Sequence, residues 1–465
     1  MDAHAKSPRT TDSRSISVDT LLNTPPLKPL QYLVIITCAL VALVDGMDSQ
    51  AIGVAAPRIA ADLHMAVGRF TPALSAGLLG AAIGAMAFGS IADRYGRRPV
   101  LIGATAIFGV FTLLTALPTS FGAMVVLRFI AGLGLGGATP CFITMTADFA
   151  PARHRTAITT LQWAAFPLGN AVGGFTNGFV ITHSTWHMVF IVAGIPTVLL
   201  AVFMLIFLPE SLRYLVARQA ASGTDRDHAR IHRLARRLDP SIGAEPIELV
   251  GPARPVGAPT RRGLVQSLTI LFSAPRRAGT SLIWIVLYLG FATTTVATLM
   301  SPTLLHAAGI GLGLTGTLVG VYSICSMLSM AASGKLVEKF GPVAVLTPAF
   351  VVGAGSLAIL GMFHNPFLLG CCMVIIGLSA PLGVAGGLGL AAAFYPVEIR
   401  SSGVGWGMGV GRFGQVCSPL LIGLMLTLSW VPASILVVMA AAPLLAGLAI
   451  ALLSWSLKPA AMQES

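Results

Sequence analysis

Twelve long apolar runs, separated by short polar segments, dominate the pattern of hydrophobic and polar positions along the chain. A membrane core of about 30 Å needs roughly 20 consecutive apolar residues in a helix. Near-continuous apolarity predicts helices, because strands of membrane barrels alternate apolar and polar residues over about 10 positions. The predicted spans are residues 31–57, 70–92, 100–118, 122–147, 156–180, 188–208, 278–300, 313–336, 343–363, 366–394, 402–426 and 431–455.

The composition agrees with a chain that lies largely inside a membrane. Hydrophobic residues make up 55% of the 465 positions and charged residues only 10%, whereas an average soluble domain has about 25% charged residues. So few charges exclude a soluble globular protein of this size, and they also exclude a disordered chain. Six cysteines without a CxxC pair exclude a disulfide scaffold.

The basic residues that give the chain a net charge of +12 lie mainly outside the predicted spans, in loops and terminal segments. Of the 29 lysines and arginines, 25 fall on one face of the bundle, in the terminal segments, the loops on that side and residues 209–277. Cytoplasmic loops carry such an excess of basic residues. The sequence therefore predicts cytoplasmic segments at 1–30, 209–277 and 456–465, no signal peptide, and no nucleic-acid partner for the basic residues.

Two parts of the sequence match each other at a constant offset of 245 residues. The segment GSIADRYG, residues 89–96, corresponds to GKLVEKFG, residues 334–341. Further pairs at this offset are Gly132 and Gly377, Phe149 and Phe394, Pro151 and Pro396, and Arg155 and Arg400. We therefore expect two parallel six-helix bundles, 31–208 and 278–455, joined by the linker 209–277. Such halves, with a site between them, are typical of secondary transporters.

The same segment carries a resemblance to a known family. Residues 89–98, GSIADRYGRR, resemble the GxxxDRxGRR loop of the major facilitator superfamily, between spans 2 and 3, and the resemblance covers the whole chain. Residues 208–215, LPESLRYL, resemble the signature that follows span 6 in metabolite-transporting branches. The resemblance implies an all-α membrane protein of 12 transmembrane helices in two pseudo-symmetric bundles. The second-half loop, EKFGP at 338–342, lacks the paired basic residues.

Span 1 narrows the resemblance to one branch of the superfamily. Residues 45–48, DGMD, resemble the DGxD motif of the aromatic acid:proton symporters, which carry benzoate-type and phenylpropionate-type acids. The region from Tyr395 to Gly414 also resembles that family. The resemblance implies import of a small aromatic carboxylate with protons.

Asp45 and Asp48 are candidate proton carriers. Carboxylates at mid-membrane are costly, by about 2.5–3.5 kcal/mol on insertion scales, and usually line a water-filled path. Three residues apart, the two side chains share one helix face. Burial and a like-charged neighbour favour the protonated form of a carboxyl group. The alternative is that the pair makes structural hydrogen bonds to neighbouring helices.

Arg128, in span 4, is expected to reach a similar depth to Asp48. At 1.5 Å per residue, Asp48 and Arg128 lie roughly 25 and 28 Å from the inner face. An ion pair would hold Asp48 ionised until a proton displaces the arginine. The alternative is an Arg128 side chain that extends to the outer interface.

Arg412, in span 11, is the candidate anchor for the substrate. It lies roughly 15 Å from the inner face, near the middle of the membrane. Spans 7 to 12 contain no acidic residue, and Arg binds carboxylates through two parallel hydrogen bonds. The alternative is a packing role in which Arg412 binds backbone carbonyl groups.

Polar and aromatic side chains within spans complete the predicted binding site. They could bind or stack on a substrate ring, although each could equally serve packing. They are Gln162, Trp163, Phe166 and Asn170 in span 5, Trp284 and Tyr288 in span 7, Tyr322 in span 8, and Trp406 in span 11.

A third group is predicted to control the change between conformations. Asp93 could accept hydrogen bonds from helix N-termini and pair with a basic residue of the other half; the alternative is a purely topogenic basic cluster. The gating candidates are Gly89, Asp93, Arg94, Gly96, Arg97, Arg98, Arg155, Glu210, Arg213, Glu398 and Arg400.

No enzyme, cofactor or metal site is expected. The chain lacks the GxxxxGK[ST] motif of an ATP-driven pump. The histidines expected near the outer face, His183, His187 and His306, have no accompanying ligand cluster. A basic helix around 226–238 is expected against anionic lipid headgroups.

The sequence thus predicts a monomeric, proton-coupled symporter of an organic, aromatic anion in the inner membrane. The alternatives are an exporter of drugs or metabolites with the same fold, and a non-transporting membrane sensor.

Overall fold

The protein folds as a bundle of long helices in a computed structural model. The structure describes residues 15–118, 120–222, 228–239, 248–250, 269–273, 276–363, 365–395 and 399–461.

Twelve long helical elements occupy the positions of the predicted apolar runs, in the part of the chain that the structure describes. In chain order the spans are Pro29–Asp62, Val67–Tyr95, Arg97–Leu114, Phe121–Phe149, Arg155–His183, Trp186–Phe207, Arg277–Ala307, Leu312–Phe340, Pro342–Leu360, Pro366–Phe394, Arg400–Thr427, and Pro432–Met439 with Ala441–Ala461. Eleven are long and apolar enough to cross a membrane; the twelfth, span 5, is as long but carries polar amides. Span 7 contains a π-helical turn at Val296–Met300.

The prediction of an all-α chain misses one small feature. Strands Ser15–Ser17 and Glu248–Val250 pair in parallel and join the N-terminal segment to the linker. Strands of three residues are too short to leave a pattern in the hydrophobicity.

The linker also contains two helices, Leu212–Ser222 and His228–Leu238. The second confirms the predicted basic helix. Its apolar side chains are buried against the first linker helix and against a short helix in the N-terminal segment, Val18–Asn23.

The internal repeat is confirmed by the backbone geometry of the two halves. Gly96 separates spans 2 and 3, and Gly341 separates spans 8 and 9; both have positive φ angles, 107° and 83°. This region of φ favours glycine because it carries no Cβ atom. The two turns are 245 residues apart and have almost the same ψ angle, 154° and 152°.

Close helix crossings repeat at the same offset. A Cβ atom on Gly132 would meet the backbone of Gly77, and one on Gly377 would meet the backbone of Tyr322. Small residues at such crossings let membrane helices approach closely. Crossings of spans 1 and 5 and of spans 7 and 11 follow the same rule, through Gly169 against Leu43 and Gly414 against Tyr288.

The halves meet at one end of the bundle and separate at the other. We call the end with the linker the linker face and the other end the opposite face. One hydrophobic cluster at the opposite face includes residues of both halves, for example Ile52 and Met300. Towards the linker face, separate clusters belong to the N-terminal half and to the C-terminal half. Among the described residues, the halves therefore share a hydrophobic cluster at the opposite face and keep separate clusters at the linker face.

Glycines bring spans 5 and 8 together at the opposite face. A Cβ atom on Gly174 would lie 2.9 Å from the carbonyl oxygen of Gly316, and one on Gly178 would lie 2.9 Å from that of Gly313. Spans 2 and 11 form the second contact, where the Ser75 hydroxyl donates to the carbonyl oxygen of Val416 at 2.9 Å.

Substitution of the crossing glycines tests the repeated packing. We expect Gly132→Ala and Gly377→Ala each to lower the thermal unfolding midpoint of the purified protein, because overpacking typically costs about 1–3 kcal/mol. Gly370→Ala is the control, since a Cβ atom there meets nothing within 4 Å and alanine favours a helix. Unchanged midpoints in both crossing variants would contradict the packing described.

Candidate functional site

A buried ion pair lies at the centre of the N-terminal half. Arg128 in span 4 donates to both carboxylate oxygens of Asp48 in span 1, at 3.3 and 2.9 Å. Thr112 in span 3 donates to Oδ1 of the same carboxylate at 3.1 Å. Both side chains of the pair are at most 5% exposed. The pairing predicted from depth is thus present, and Arg128 does not extend to the outer interface.

An aromatic ring covers another side of the Arg128 guanidinium. The Phe190 ring centroid in span 6 lies 5.3 Å from the guanidinium carbon. Trp186 packs edge-on against Phe190, with the ring centroids 6.1 Å apart. The Trp186 indole N–H donates to Asp62, at the end of span 1, at 2.5 Å. The ion pair and its neighbours therefore connect spans 1, 3, 4 and 6.

Asp45 and Arg412 face each other from the two halves. The carboxyl group of Asp45 interacts electrostatically with the guanidinium of Arg412 and with Asp48. Asp45 Oδ1 is buried without a hydrogen-bond partner, and within the described chain Arg412 has no salt bridge shorter than 4.0 Å. The search for an acidic partner among spans 7 to 12 therefore missed the nearest one, because it comes from span 1 of the other half.

The predicted amides of span 5 lie along spans 1 and 4. Asn170 Oδ1 accepts a hydrogen bond from Gln50 Nε2 at 3.1 Å. Gln162 donates to the Phe142 carbonyl at 3.4 Å, and its own carbonyl oxygen is buried without a partner. Trp163 packs edge-on against Phe142. Gln162 thus offers an unsatisfied acceptor, whereas Asn170 is already paired.

The aromatic candidates of the C-terminal half separate into two environments. Trp284 and Trp406 stack with ring centroids 6.2 Å apart. Trp284 and Tyr288 line an apolar cavity of about 250 Å³, which also includes Val410 of span 11. Tyr322 is different, because its ring is buried in the cluster at the opposite face. The structure therefore places Tyr322 in the core, away from an open binding surface.

The motif between spans 2 and 3, residues 89–98, and the motif after span 6, residues 208–215, form one hydrogen-bond network at the linker face. Glu210 Oε1 accepts hydrogen bonds from the backbone N–H groups of Arg97 and Arg98, both at 3.1 Å, at the first turn of span 3. A carboxylate is stabilised at a helix N-terminus by these unpaired N–H groups and by the helix dipole. A Cβ atom on Gly96 would collide with the Glu210 side chain, so this position requires glycine for two reasons.

Asp148, at the end of span 4, strengthens this network. It pairs with Arg97 and accepts a hydrogen bond from the Ser211 hydroxyl. Arg98 donates to the carbonyl oxygen of Leu208 at 2.6 Å, and Arg213 pairs with Asp19 of the N-terminal segment. All these contacts lie within the N-terminal half and the adjoining linker, so the network stiffens one half.

Among the described side chains, Glu210 accepts the hydrogen bonds at the start of span 3 for which Asp93 is also a candidate, and the role of Asp93 stays a prediction. The carboxylate that accepts the N–H groups at the start of span 3 belongs to Glu210, because the chain after span 6 folds back onto that turn. The Asp93 and Arg400 side chains and residue Glu398 lie outside the described residues.

The other gating candidates are placed separately. The Arg94 side chain is exposed, and its backbone carbonyl accepts a hydrogen bond from Tyr214 at 3.0 Å. A Cβ atom on Gly89 would lie 3.9 Å from the Pro140 side chain of span 4. Arg155 begins span 5 and has a buried Nε atom without a hydrogen-bond partner.

Sequence reasoning missed Gln50, Thr112, Asp148 and Phe190. A signal existed for the first three, since each is a polar residue within or at the end of an apolar run. Phe190 had none, because a phenylalanine in an apolar run is most often part of the core. Within the described chain, no group of three or more His, Cys, Asp or Glu side chains could hold a metal ion.

Comparisons with known proteins agree with this architecture. The family model of the Major Facilitator Superfamily matches residues 38–312 and 282–465. The 4-hydroxybenzoate transporter of Acinetobacter baylyi is 32% identical over 90% of this chain and 90% of its own length. The gallate transporter of Pseudomonas putida is 30% identical over 89% of each chain. The crystal structure of a nucleoside transporter, NupG, has a TM-score of 0.68 at 14% identity and covers 91% of this chain and 99% of its own.

A single variant and a double variant together test the buried ion pair. We expect Arg128→Met to lower thermal stability strongly, because removing one partner of a buried pair typically costs about 3–5 kcal/mol. The double variant Asp48→Asn/Arg128→Met leaves no unpaired charge and should recover most of the loss. The measurement is the thermal unfolding midpoint in detergent, with the exposed Arg58→Met as control. A double variant no more stable than Arg128→Met would contradict the conclusion that the two charges compensate each other's burial.

Proposed function

The chain belongs to the Major Facilitator Superfamily and, within it, to the aromatic acid transporters, and we propose that it imports an aromatic carboxylate together with protons by alternating access. The observation that carries this proposal is a group of charged side chains buried between the helices, one pair within the N-terminal half and one pair across the two halves. Asp48 and Arg128 form a buried ion pair in one half, and Asp45 faces Arg412 of the other half.

Arg412 is suited to bind the carboxylate of the substrate. Within the described chain its guanidinium makes no hydrogen bond, although a buried guanidinium requires acceptors. A carboxylate can accept two parallel hydrogen bonds from it. The apolar cavity lined by Trp284 and Tyr288 of span 7 and by Val410 of span 11, the helix that carries Arg412, would receive an aromatic ring. The relatives named for 4-hydroxybenzoate and for gallate indicate the substrate class.

Asp45 would link proton binding to substrate binding. While Asp45 is ionised, it satisfies the charge of Arg412 and competes with an incoming carboxylate. A proton that adds to Asp45 removes this competition, so that proton and anion occupy the site together without net charge. Asp48, which accepts hydrogen bonds from Arg128 and Thr112, is the second proposed proton site.

The basic loops place the linker face in the cytoplasm in this proposal. The structure would then be the state that is open to the cytoplasm, with both termini cytoplasmic, in the inner membrane. Motion would separate spans 5 and 8 and spans 2 and 11 at the opposite face while the halves close at the linker face. Glu210 and Asp148 would keep the N-terminal half rigid during this motion. We propose a monomer that needs no cofactor and no partner beyond proton, substrate and lipid.

Uptake into proteoliposomes tests the function. We expect a pH gradient, acidic outside, to drive accumulation of labelled aromatic acids, in a panel including 4-hydroxybenzoate and gallate, and a protonophore to abolish it. We expect Asp45→Asn and Asp48→Asn each to abolish accumulation because neither amide takes up a proton. Full accumulation in both variants would disprove proton coupling at these positions, and gradient-driven uptake of cationic dyes instead would favour an exporter.

A conservative substitution tests the anchor. We expect Arg412→Lys to raise the KM for the transported acid roughly tenfold, because lysine loses the second of two parallel hydrogen bonds. The exposed Arg153→Lys should leave KM unchanged. An unaltered KM in Arg412→Lys would remove Arg412 from the binding site.

A further inference from the structure

Phe190 occupies a position that the transport cycle described above leaves without a role. Its ring is fully buried in span 6, with the centroid 5.3 Å from the guanidinium carbon of Arg128. Trp186 packs edge-on against this ring and restricts its orientation. The indole N–H of Trp186 in turn donates a hydrogen bond to Asp62. A cation within about 6 Å of a ring centroid is attracted by the electron-rich face of the ring.

Protonation of Asp48 creates an energetic difficulty at Arg128. When a hydronium ion transfers a proton to a carboxylate oxygen of Asp48, an O–H bond forms on Asp48, one O–H bond of the hydronium breaks to leave water, and the charge of the pair changes from zero to +1. The guanidinium then loses its counterion inside a medium in which an unpaired charge is costly. The other charged groups nearby are Asp45, on the same helix, and Arg412, which Asp45 faces. From spans 3 and 6, Thr112 and Phe190 contact the pair.

We propose that Phe190 is a positioning residue that stabilises the Arg128 guanidinium while Asp48 is protonated. This inference rests on the proposed proton-coupled transport. The contact between ring and cation strengthens when the carboxylate charge is neutralised, because the field of the guanidinium is then no longer cancelled on its other side. Phe190 thereby makes the protonated state accessible, and Asp48 can take up a proton without expelling Arg128 from the bundle.

Infrared spectroscopy of the full-length protein in lipid vesicles tests this role without a substrate. The stretch of protonated carboxyl groups is followed as a function of pH, and the part that belongs to Asp48 is identified by its loss in Asp48→Asn. We expect Phe190→Leu to reduce the proton affinity of Asp48 about tenfold, which moves the midpoint of its protonation down by about one pH unit. Phe190→Trp keeps the midpoint or moves it upwards, since indole binds cations best.

Two further arms separate electrostatics from packing. Trifluorophenylalanine at position 190 preserves the shape of the ring and weakens its electron-rich face, so we expect a downward shift smaller than that of Phe190→Leu. Phe203→Leu is the matched control, since Phe203 lies in the same helix and is 37% exposed, and it should leave the midpoint unchanged.

The outcomes distinguish this inference from the proposed function. A wild-type midpoint in the trifluorophenylalanine protein would show that Phe190 acts only by packing and would overturn the inference, and so would an Asp48 signal that does not titrate. Failure of every aromatic acid to be transported would disprove the proposed substrate class while leaving the midpoint shift in place.

Discussion

An ion pair that is shielded from water constrains this bundle more than any other single interaction. Asp48 and Arg128 are each costly to bury alone, and their burial together is tolerated because both carboxylate oxygens accept hydrogen bonds from the guanidinium and Oδ1 also accepts one from Thr112. Those partners come from spans 1, 3, 4 and 6, so the pair fixes the relative rotation of four helices. A change in charge at Asp48 is therefore felt by the whole N-terminal half rather than by one side chain.

The backbone of the two halves repeats, whereas the charged residues of the candidate site do not. Glycine crossings and the positive-φ turns recur 245 residues apart, so the two halves share one backbone design. The charged residues of the candidate site do not recur: the positions equivalent to Asp45 and Asp48 are Gly290 and Thr293, and the position equivalent to Arg412 is Pro167. Similar halves can rock against each other with matching contacts, whereas Asp45 and Asp48 lie in one half and Arg412 lies in the other.

Sequence reasoning was most successful where a single helix determines the answer. Apolar runs predicted the spans, and helical rise predicted that Asp48 and Arg128 reach the same depth. Rotation about helix axes and folding of the chain between helices cannot be read in this way. For that reason three features were not foreseen: the burial of Tyr322 in the core, the hydrogen bonds that Glu210 accepts at the start of span 3, and the proximity of Asp45 to Arg412 across the halves.

The shared hydrophobic cluster at the opposite face has a thermodynamic consequence. Opening that face would expose side chains of both halves, such as Ile52 and Met300, that are now packed together. Exposure of apolar surface to water raises the heat capacity. The equilibrium between the two access states would then vary with temperature along a curve rather than a straight van't Hoff line, and cooling would weaken the force that holds the opposite face closed.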